Sequence, residues 1–214
     1  MKKSDIIALF DTLRKANPHP KSDLNYQNPF QLLVAVVLSA QATDVGVNKA
    51  TPALFAAAPD PQSMVLLGEE GIREHIRTIG LFNNKAKHLF ALSGKLLEKH
   101  NAEVPATRQE LEALPGVGHK TASVVLNIAF GEPTLAVDTH VRRVANRLGL
   151  VKEKDPEKIE KLLVKKIPPP YLQHAHHWLI LLGRYTCTAR SPKCTLCAVI
   201  QWCPFKQKTT KVST

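Results

Sequence analysis

Lysine, aspartate and cysteine residues in the second half of this sequence have the types and spacing needed for chemistry. Lys120 follows a glycine-rich turn, and Asp138 precedes Thr139 and His140 at a position typical of a helix N-cap. An amine is nucleophilic only when neutral, and cationic surroundings at the start of a helix favour its neutral form. A fixed carboxylate can balance a developing positive charge or transfer protons. Together, Lys120 and Asp138 could form and release a Schiff base, although Asp138 taken alone is equally typical of a simple cap.

All four cysteines of the chain are clustered between residues 187 and 203 in the pattern C-x6-C-x2-C-x5-C. Four thiolates at this spacing are typical of a metal site and suit either zinc or a 4Fe–4S cluster. Disulfides are not expected in a reducing compartment. The spacing by itself leaves the choice of metal open. The four candidate ligands are Cys187, Cys194, Cys197 and Cys203.

The charge of the chain indicates a polyanionic partner. Lys and Arg total 29 against 18 Asp and Glu, which gives a net charge of +11. The positive residues are spread along the chain, which favours a folded face that binds nucleic acid, although ribosome-associated and membrane-surface proteins are equally basic. The longest near-apolar run, Phe30 to Ala40, is shorter than the ~20 residues of a membrane-spanning helix. The N-terminus lacks the unbroken apolar core of a secretory leader, so we expect a cytoplasmic protein.

The segment Leu114–Ala122, with the sequence LPGVGHKTA, predicts a tight connection between two helices. Gly116 and Gly118 would let backbone N–H groups point outward at the start of the second helix, where they suit a phosphate oxygen. Leu114 and Val117 would hold the two helices together. An ordinary corner between helices is the alternative, and the motif is silent about catalysis.

Helical periodicity dominates the rest of the chain and predicts an all-α fold. The buried helix from Pro29 to about Ala42 is the clearest central element, because its apolar face is nearly continuous. We expect two helical lobes that share a DNA-binding groove, with domains at 22–132 and at 1–21 together with 133–214. The other predicted helices carry Ile6 to Leu13, follow Asp44, run from Asp60-Pro61 as two short helices to Leu81, span 83–100, follow Thr107, span 118–131, follow Asp138 and Asp155, and span 171–185.

Three segments and the cysteine pattern resemble the endonuclease III family, in one order through nearly the whole chain. The segments are Val37–Asp44, Leu114–Ala122 and Ala136–His140. The second also resembles the helix-hairpin-helix motif, which grips the phosphate backbone without reading sequence. The resemblance implies a bifunctional DNA glycosylase and AP lyase, with Lys120 as the Schiff-base lysine and Asp138 as the catalytic carboxylate.

The same resemblance assigns a cofactor and a partner. It implies a 4Fe–4S cluster on the four cysteines and, as partner, double-stranded DNA that contains oxidised pyrimidines or abasic sites, bound by a monomer. Gln41 and Leu81 match the residues that fill the gap left by a flipped base. A leucine in a loop is otherwise a core residue, which is the alternative for Leu81. The expected DNA contacts are Gln41, Leu81, Gly116, Val117, Gly118, His119 and the two cations of the cysteine loop, Arg190 and Lys193.

Two other functions share parts of this pattern. A sister glycosylase that removes adenine opposite oxidised guanine has the hairpin, the aspartate and the cluster, but lacks the lysine and usually has an extra C-terminal domain. A non-enzymatic DNA-binding module with a structural metal would need neither Lys120 nor Asp138. His174 and His177 share a helix face, but without a third ligand we interpret them as core residues.

Overall fold

The computed structural model describes residues 1–209 and confirms the predicted all-α fold. No strand occurs in this part of the chain, and the last helix passes into a π-helical turn at Leu182–Thr186. Two short 3-10 turns, Cys194–Leu196 and Ile200–Trp202, complete the cysteine segment. The α-helices are α1 Lys3–Ala16, α2 Pro29–Ser39, α3 Asp44–Ala57, α4 Pro61–Ile76, α5 Phe82–Lys99, α6 Arg108–Glu112, α7 His119–Phe130, α8 Thr139–Arg147, α9 Pro156–Lys166 and α10 Pro169–Leu181.

The chain divides into two compact units. One comprises Ser22–Gly131, and the other joins Met1–Lys21 to the segment that begins at Glu132. Residues 210–214, with which the second predicted domain ends, lie outside the described residues. None of the described helices is long and apolar enough to span a membrane.

The unit Ser22–Gly131 is organised around α2. Every residue from Phe30 to Leu38 is buried, so this helix is surrounded on all sides as its continuous apolar pattern predicts. The Asn28 side chain caps it by accepting the Gln31 N–H at 2.9 Å. The remaining helices of the unit pack their leucine and isoleucine faces around it.

The second unit has an aromatic centre contributed by α1 and α10. The ring of Phe10 stacks on that of Tyr171 with the ring centroids 5.7 Å apart, and its centroid lies 6.2 Å from that of Trp178. Hydrogen bonds add to this packing: the Trp178 indole donates to the carbonyl of Asn17, and the Tyr171 hydroxyl donates to Asp11, each at 2.8 Å. These contacts fix the N-terminal helix against the C-terminal half of the chain.

Several predicted helix boundaries were displaced by local backbone conformation. Helix α2 ends at Ser39 rather than Ala42, because Gln41 has a φ of +54° and cannot continue a right-handed helix. The cap of α3 is Thr43, whose hydroxyl accepts the Gly46 N–H, and Asp44 is the first helical residue. Helix α4 is interrupted at Gly68, where φ is +72°, as the prediction of two short helices requires.

Candidate functional site

The hairpin turn, residues 113–118 between α6 and α7, is closed by its own backbone and by two buried side chains. Leu114 and Val117 are both buried, as predicted. The Val117 N–H donates to the carbonyl of Leu114 at 3.1 Å. Because the Val117 side chain faces the core, any contact it makes with a ligand would come from its backbone.

The two glycines of the hairpin turn have different roles. Gly116 has a φ of +77°, and a Cβ on it would lie 2.9 Å from the Cβ of His88 on α5, so no other residue fits there without movement. Gly118 has an ordinary φ of −97°, and a Cβ on it would meet open space. The expectation that both glycines are needed for the tight turn is therefore wrong for Gly118. Its small size instead leaves the surface next to α7 open.

The start of α7 presents both amides and an amine. The Ala122 N–H makes the first bond of the helix, to the Gly118 carbonyl at 3.0 Å, so helix geometry leaves the earlier amides for an external acceptor such as phosphate. Lys120 is the second residue of α7, and its side chain is exposed. This places a primary amine beside an anion-binding helix terminus.

A polar network joins α6 to the first turns of α7. The His119 imidazole donates from Nδ1 to the Glu112 carboxylate at 3.0 Å, and Arg108 donates to the Ser123 hydroxyl at 2.9 Å. Arg108 also lies 3.5 Å from Glu112. Sequence reasoning missed Arg108 and Glu112, although their separation by four residues on one helix face was a usable signal. The network fixes the orientation of the helix that carries Lys120.

Asp138 lies in the other unit and is the N-cap of α8, as predicted. Its Oδ1 accepts the Val141 N–H at 2.7 Å, and its second oxygen is left for another donor by this bond. His176 on α10 donates from Nδ1 to the Ala136 carbonyl at 2.8 Å, which fixes the segment that leads into the cap. The carboxylate is half-buried and held at the start of a helix.

Gln41 and Leu81 lie in two adjacent loops, residues 40–43 and 77–81, which we call the paired loops. Both residues are exposed, and both have a left-handed backbone, with φ of +54° and +60°. A Cβ placed on Gly80 would lie 3.7 Å from the Gln41 carbonyl, so the loops are in van der Waals contact. Leu81 is 55% exposed, which excludes the alternative that it is a core residue.

The four cysteines line one cavity of the second unit, and none of them is in a disulfide. Among residues 1–209, no three His, Cys, Asp or Glu side chains are placed to hold a single metal ion. Burial, and then the charges of the other three cysteines, raises the pKa of the Cys197 thiol. Four thiolates could share this cavity only with a compensating positive charge, which iron or zinc supplies. The donor set fits a group large enough to reach all four sulfur atoms.

Two arginines of α8 secure the cysteine segment. Arg147 donates to the Cys187 sulfur at 3.4 Å and to the carbonyls of Thr188 and Ala189 at 2.7 and 2.9 Å. Arg143 donates to the carbonyl of Cys187 at 2.9 Å. Sequence reasoning missed both, although they are four residues apart on α8. Arg190 and Lys193, which were predicted to face DNA, are exposed.

The histidines of α10 pack as predicted. His176 and His177 are buried, and the ring of His174 meets that of Trp178 edge-on with the centroids 5.6 Å apart. Burial, with a smaller contribution from His19, lowers the pKa of His174. These residues belong to the core of their unit.

The fold and the hairpin define a class of protein. Residues 34–169 match the family model for the HhH-GPD superfamily of base excision DNA repair proteins. Two solved structures, a trapped covalent endonuclease III–DNA intermediate and a non-covalent endonuclease III–DNA complex, each have a TM-score of 0.88 and 44% identity to this chain. Each match covers 95% of this chain and 96% of that one. A thermostable thymine-DNA glycosylase, at 23% identity and a TM-score of 0.80, has the same fold.

The particular family within this class follows from curated relatives. Endonuclease III of Haemophilus influenzae is 53% identical and that of Escherichia coli 52% identical, each over 97% of this chain and 99% of the relative. Endonuclease III of Treponema pallidum is 54% identical over 92% of the chain and 93% of the relative. The chain therefore belongs to the endonuclease III family of the HhH-GPD superfamily. It is a DNA-binding enzyme of base excision repair, a bifunctional DNA glycosylase and AP lyase.

Proposed function

We propose that this protein removes oxidised pyrimidines from double-stranded DNA and cleaves the resulting abasic site through a Schiff base on Lys120. The observation that carries the proposal is the exposed amine of Lys120 on the first turn of α7, directly after the hairpin turn. Phosphate bound at that turn would bring a neighbouring sugar within reach of the amine. The similarity to a trapped covalent endonuclease III–DNA intermediate supports the same chemistry here.

In the first half of the reaction, the neutral amine of Lys120 attacks C1′ of the damaged nucleoside. The new C–N bond replaces the bond to the base, and the base leaves with the bonding electron pair and takes up a proton. The Asp138 carboxylate balances the positive charge that develops on the sugar, and it accepts the proton that the amine loses. Opening of the sugar ring then gives the Schiff base.

In the second half, loss of a proton from C2′ breaks the C3′–O bond. The strand is cut with a 3′ unsaturated aldehyde on one side and a 5′ phosphate on the other. Water hydrolyses the Schiff base and returns the lysine amine. No metal ion takes part in these steps, which move no net electrons between enzyme and substrate.

The DNA contacts divide between the two units. In the unit Ser22–Gly131, we assign phosphate binding to Gly116, Val117, Gly118 and His119 of the hairpin, and filling of the gap in the base stack to Gln41 and Leu81. In the other unit, the exposed cations Arg190 and Lys193 suit phosphate as well. The first unit would thus be the hairpin domain and the second the cluster domain. We expect a monomer that works at the bacterial nucleoid in the cytoplasm.

We further propose that Cys187, Cys194, Cys197 and Cys203 hold a 4Fe–4S cluster rather than zinc. The support is the cavity that all four line, together with the family resemblance. The bound cluster would supply iron–thiolate bonds that fix the segment Cys187–Cys203. A brown protein that absorbs broadly near about 400 nm would support the assignment. A colourless protein that contains one zinc would overturn it.

Covalent trapping tests the nucleophile. With borohydride and a duplex that carries thymine glycol, Lys120→Ala should abolish trapping while binding to DNA persists. Lys161→Ala, which removes an exposed lysine of α9, is the matched control and should trap normally. Undiminished trapping by Lys120→Ala would refute the assignment. A duplex with adenine opposite oxidised guanine tests the sister activity, and nicking of an abasic duplex without added metal excludes a mere binding module.

Two substitutions of Asp138 separate its two roles. Asn is as good an N-cap as Asp, so Asp138→Asn should keep the stability of α8 but lose the carboxylate charge. Base excision should then fall steeply with an unchanged free energy of unfolding. Asp138→Ala should lose both. Full activity in Asp138→Asn would show that this residue is only a cap.

A further inference from the structure

Lys85, on the first turns of α5, is a buried lysine for which the reaction has no use. Its side chain is only 5% exposed, and its ammonium donates to the carbonyl of Leu38 at 2.9 Å. Burial lowers the pKa of this amine. Burying an ammonium is costly, so its place in the core needs an explanation in terms of what it holds.

The carbonyl that Lys85 binds belongs to the last turn of α2. Carbonyls at this end of a helix have no partner within the helix. Val37 and Ser39, on either side, are satisfied locally, by the N–H groups of Ala40 and Ala42 at 3.3 and 3.1 Å. The Leu38 carbonyl is bound by Lys85 instead, and a positive charge is favourable at a helix C-terminus.

The same lysine is also bonded to the other loop. Its backbone N–H donates to the Leu81 carbonyl at 3.1 Å, in the first turn of α5. One residue thus contacts the turn that ends three residues before Gln41 through its side chain, and Leu81 itself through its main chain. The contact between Gly80 and the Gln41 carbonyl is a further link between the paired loops.

We propose that Lys85 is a positioning residue that holds Gln41 and Leu81 at a fixed separation, so that both side chains enter the base stack together. The inference rests on the proposed role of those two side chains. Both have a strained left-handed backbone, so an anchor close to each is needed to keep them from relaxing. Only a long side chain that ends in a hydrogen-bond donor can reach the Leu38 carbonyl from α5.

Lys85→Met tests the proposal, because methionine fills the volume of the lysine stem but cannot donate. The assay is stopped-flow extrusion of a fluorescent base next to thymine glycol, compared with AP lyase activity on a single-stranded abasic oligonucleotide, which has no stack to open. We expect extrusion to slow about tenfold, as for a small misplacement of working groups, with single-stranded lyase activity unchanged. Lys87→Met, an exposed lysine on the same helix, is the control.

The outcomes separate the anchor from the side chains it holds. If Leu81→Ala slows extrusion but Lys85→Met does not, the inference about Lys85 is wrong and the role of Leu81 stands. If Leu81→Ala also has no effect, the proposed role of the paired loops fails first. An equal loss of single-stranded and duplex activity in Lys85→Met would also overturn the inference. Should Lys85→Met not fold, Lys85→Gln, a shorter neutral donor, is judged by the same criteria.

Discussion

The hairpin turn and the paired loops both use left-handed backbone on the surface of one unit, but with different residues. In the hairpin turn the left-handed residue is Gly116, for which this conformation costs little. In the paired loops the left-handed residues are Gln41 and Leu81, each of which carries strain on the order of 1–2 kcal/mol. The hairpin offers its backbone to a ligand, and the loops offer their side chains.

The difference teaches where strain is accepted. Backbone amides can do their work from a glycine turn, so nothing is lost when the side chain is absent. A residue that must fill a gap in a base stack needs its side chain, and the unfavourable conformation is then tolerated because the surrounding structure holds it. Positive φ at a non-glycine residue is therefore the more informative signal of function.

Gly116→Ala should break the hairpin side of the comparison and have the largest effect on stability. The added Cβ meets His88 at 2.9 Å and must adopt a positive φ, so we expect a loss of about 2 kcal/mol or more in the free energy of unfolding. Affinity for undamaged duplex should fall as well. Urea denaturation and fluorescence anisotropy measure the two effects. A variant as stable as the parent would show that the glycine is not required.

Leu81→Gly should sharpen the other side of the comparison. Glycine relieves the strained backbone, so this variant should be about 1 kcal/mol more stable than Leu81→Ala. Both should extrude the damaged base more slowly, because the side chain is missing. Stability and extrusion would then change in opposite directions between the parent and the glycine variant. If Leu81→Ala proves the more stable of the two, the left-handed conformation is not a source of strain.

Asp60 provides an ordinary capped helix start with which both regions can be compared. Its side chain accepts the Ser63 N–H at 2.8 Å, and the hydrogen bonds from the backbone and then the hydroxyl of Ser63 lower the pKa of the carboxyl. Asp60→Ala should cost about 1 kcal/mol at neutral pH. Because the folded pKa lies below the unfolded one, this contribution is present above pH 3.8 and is lost as the pH falls through the folded value.

The measurement for Asp60 is urea denaturation of parent and Asp60→Ala from neutral pH to below pH 3.8. The difference between them should shrink at the acid end. Asp60→Asn, which keeps a neutral cap, should differ little from the parent at neutral pH. A difference between parent and Asp60→Ala that stayed constant with pH would mean that the carboxylate charge does not contribute.

Gly118→Ala should have the smallest effect on stability and is the matched control for Gly116. Its Cβ would enter open space at an ordinary φ, so we expect a cost of about 0.5 kcal/mol from the poorer N-cap. The methyl group would nonetheless occupy the surface beside the first amides of α7. Affinity for duplex DNA should therefore fall several-fold while the fold is kept, and unchanged affinity would remove this surface from the interface.

The secondary structure of the chain could be predicted well from the sequence, because the signals act over short distances. Caps such as Asp60, Thr107 and Asp155 bind an N–H three residues further on, and apolar residues recur with the helical period. Errors occurred where a single residue leaves the helical region. Nothing about Gln41 itself indicates a positive φ, so the end of α2 was placed three residues too late.

By itself, the sequence determined the all-α fold, the turn at Gly116, the cap at Asp138 and the clustering of the four cysteines, since each depends on neighbours within one or two helical turns. Only the tertiary structure decided that Leu81 is exposed beside the Gln41 loop. The same holds for Lys85 and Arg147, whose partners lie 47 and 41 positions away in the chain. Hydrogen bonds over such separations depend on how whole helices pack, and no local pattern of residue types encodes them.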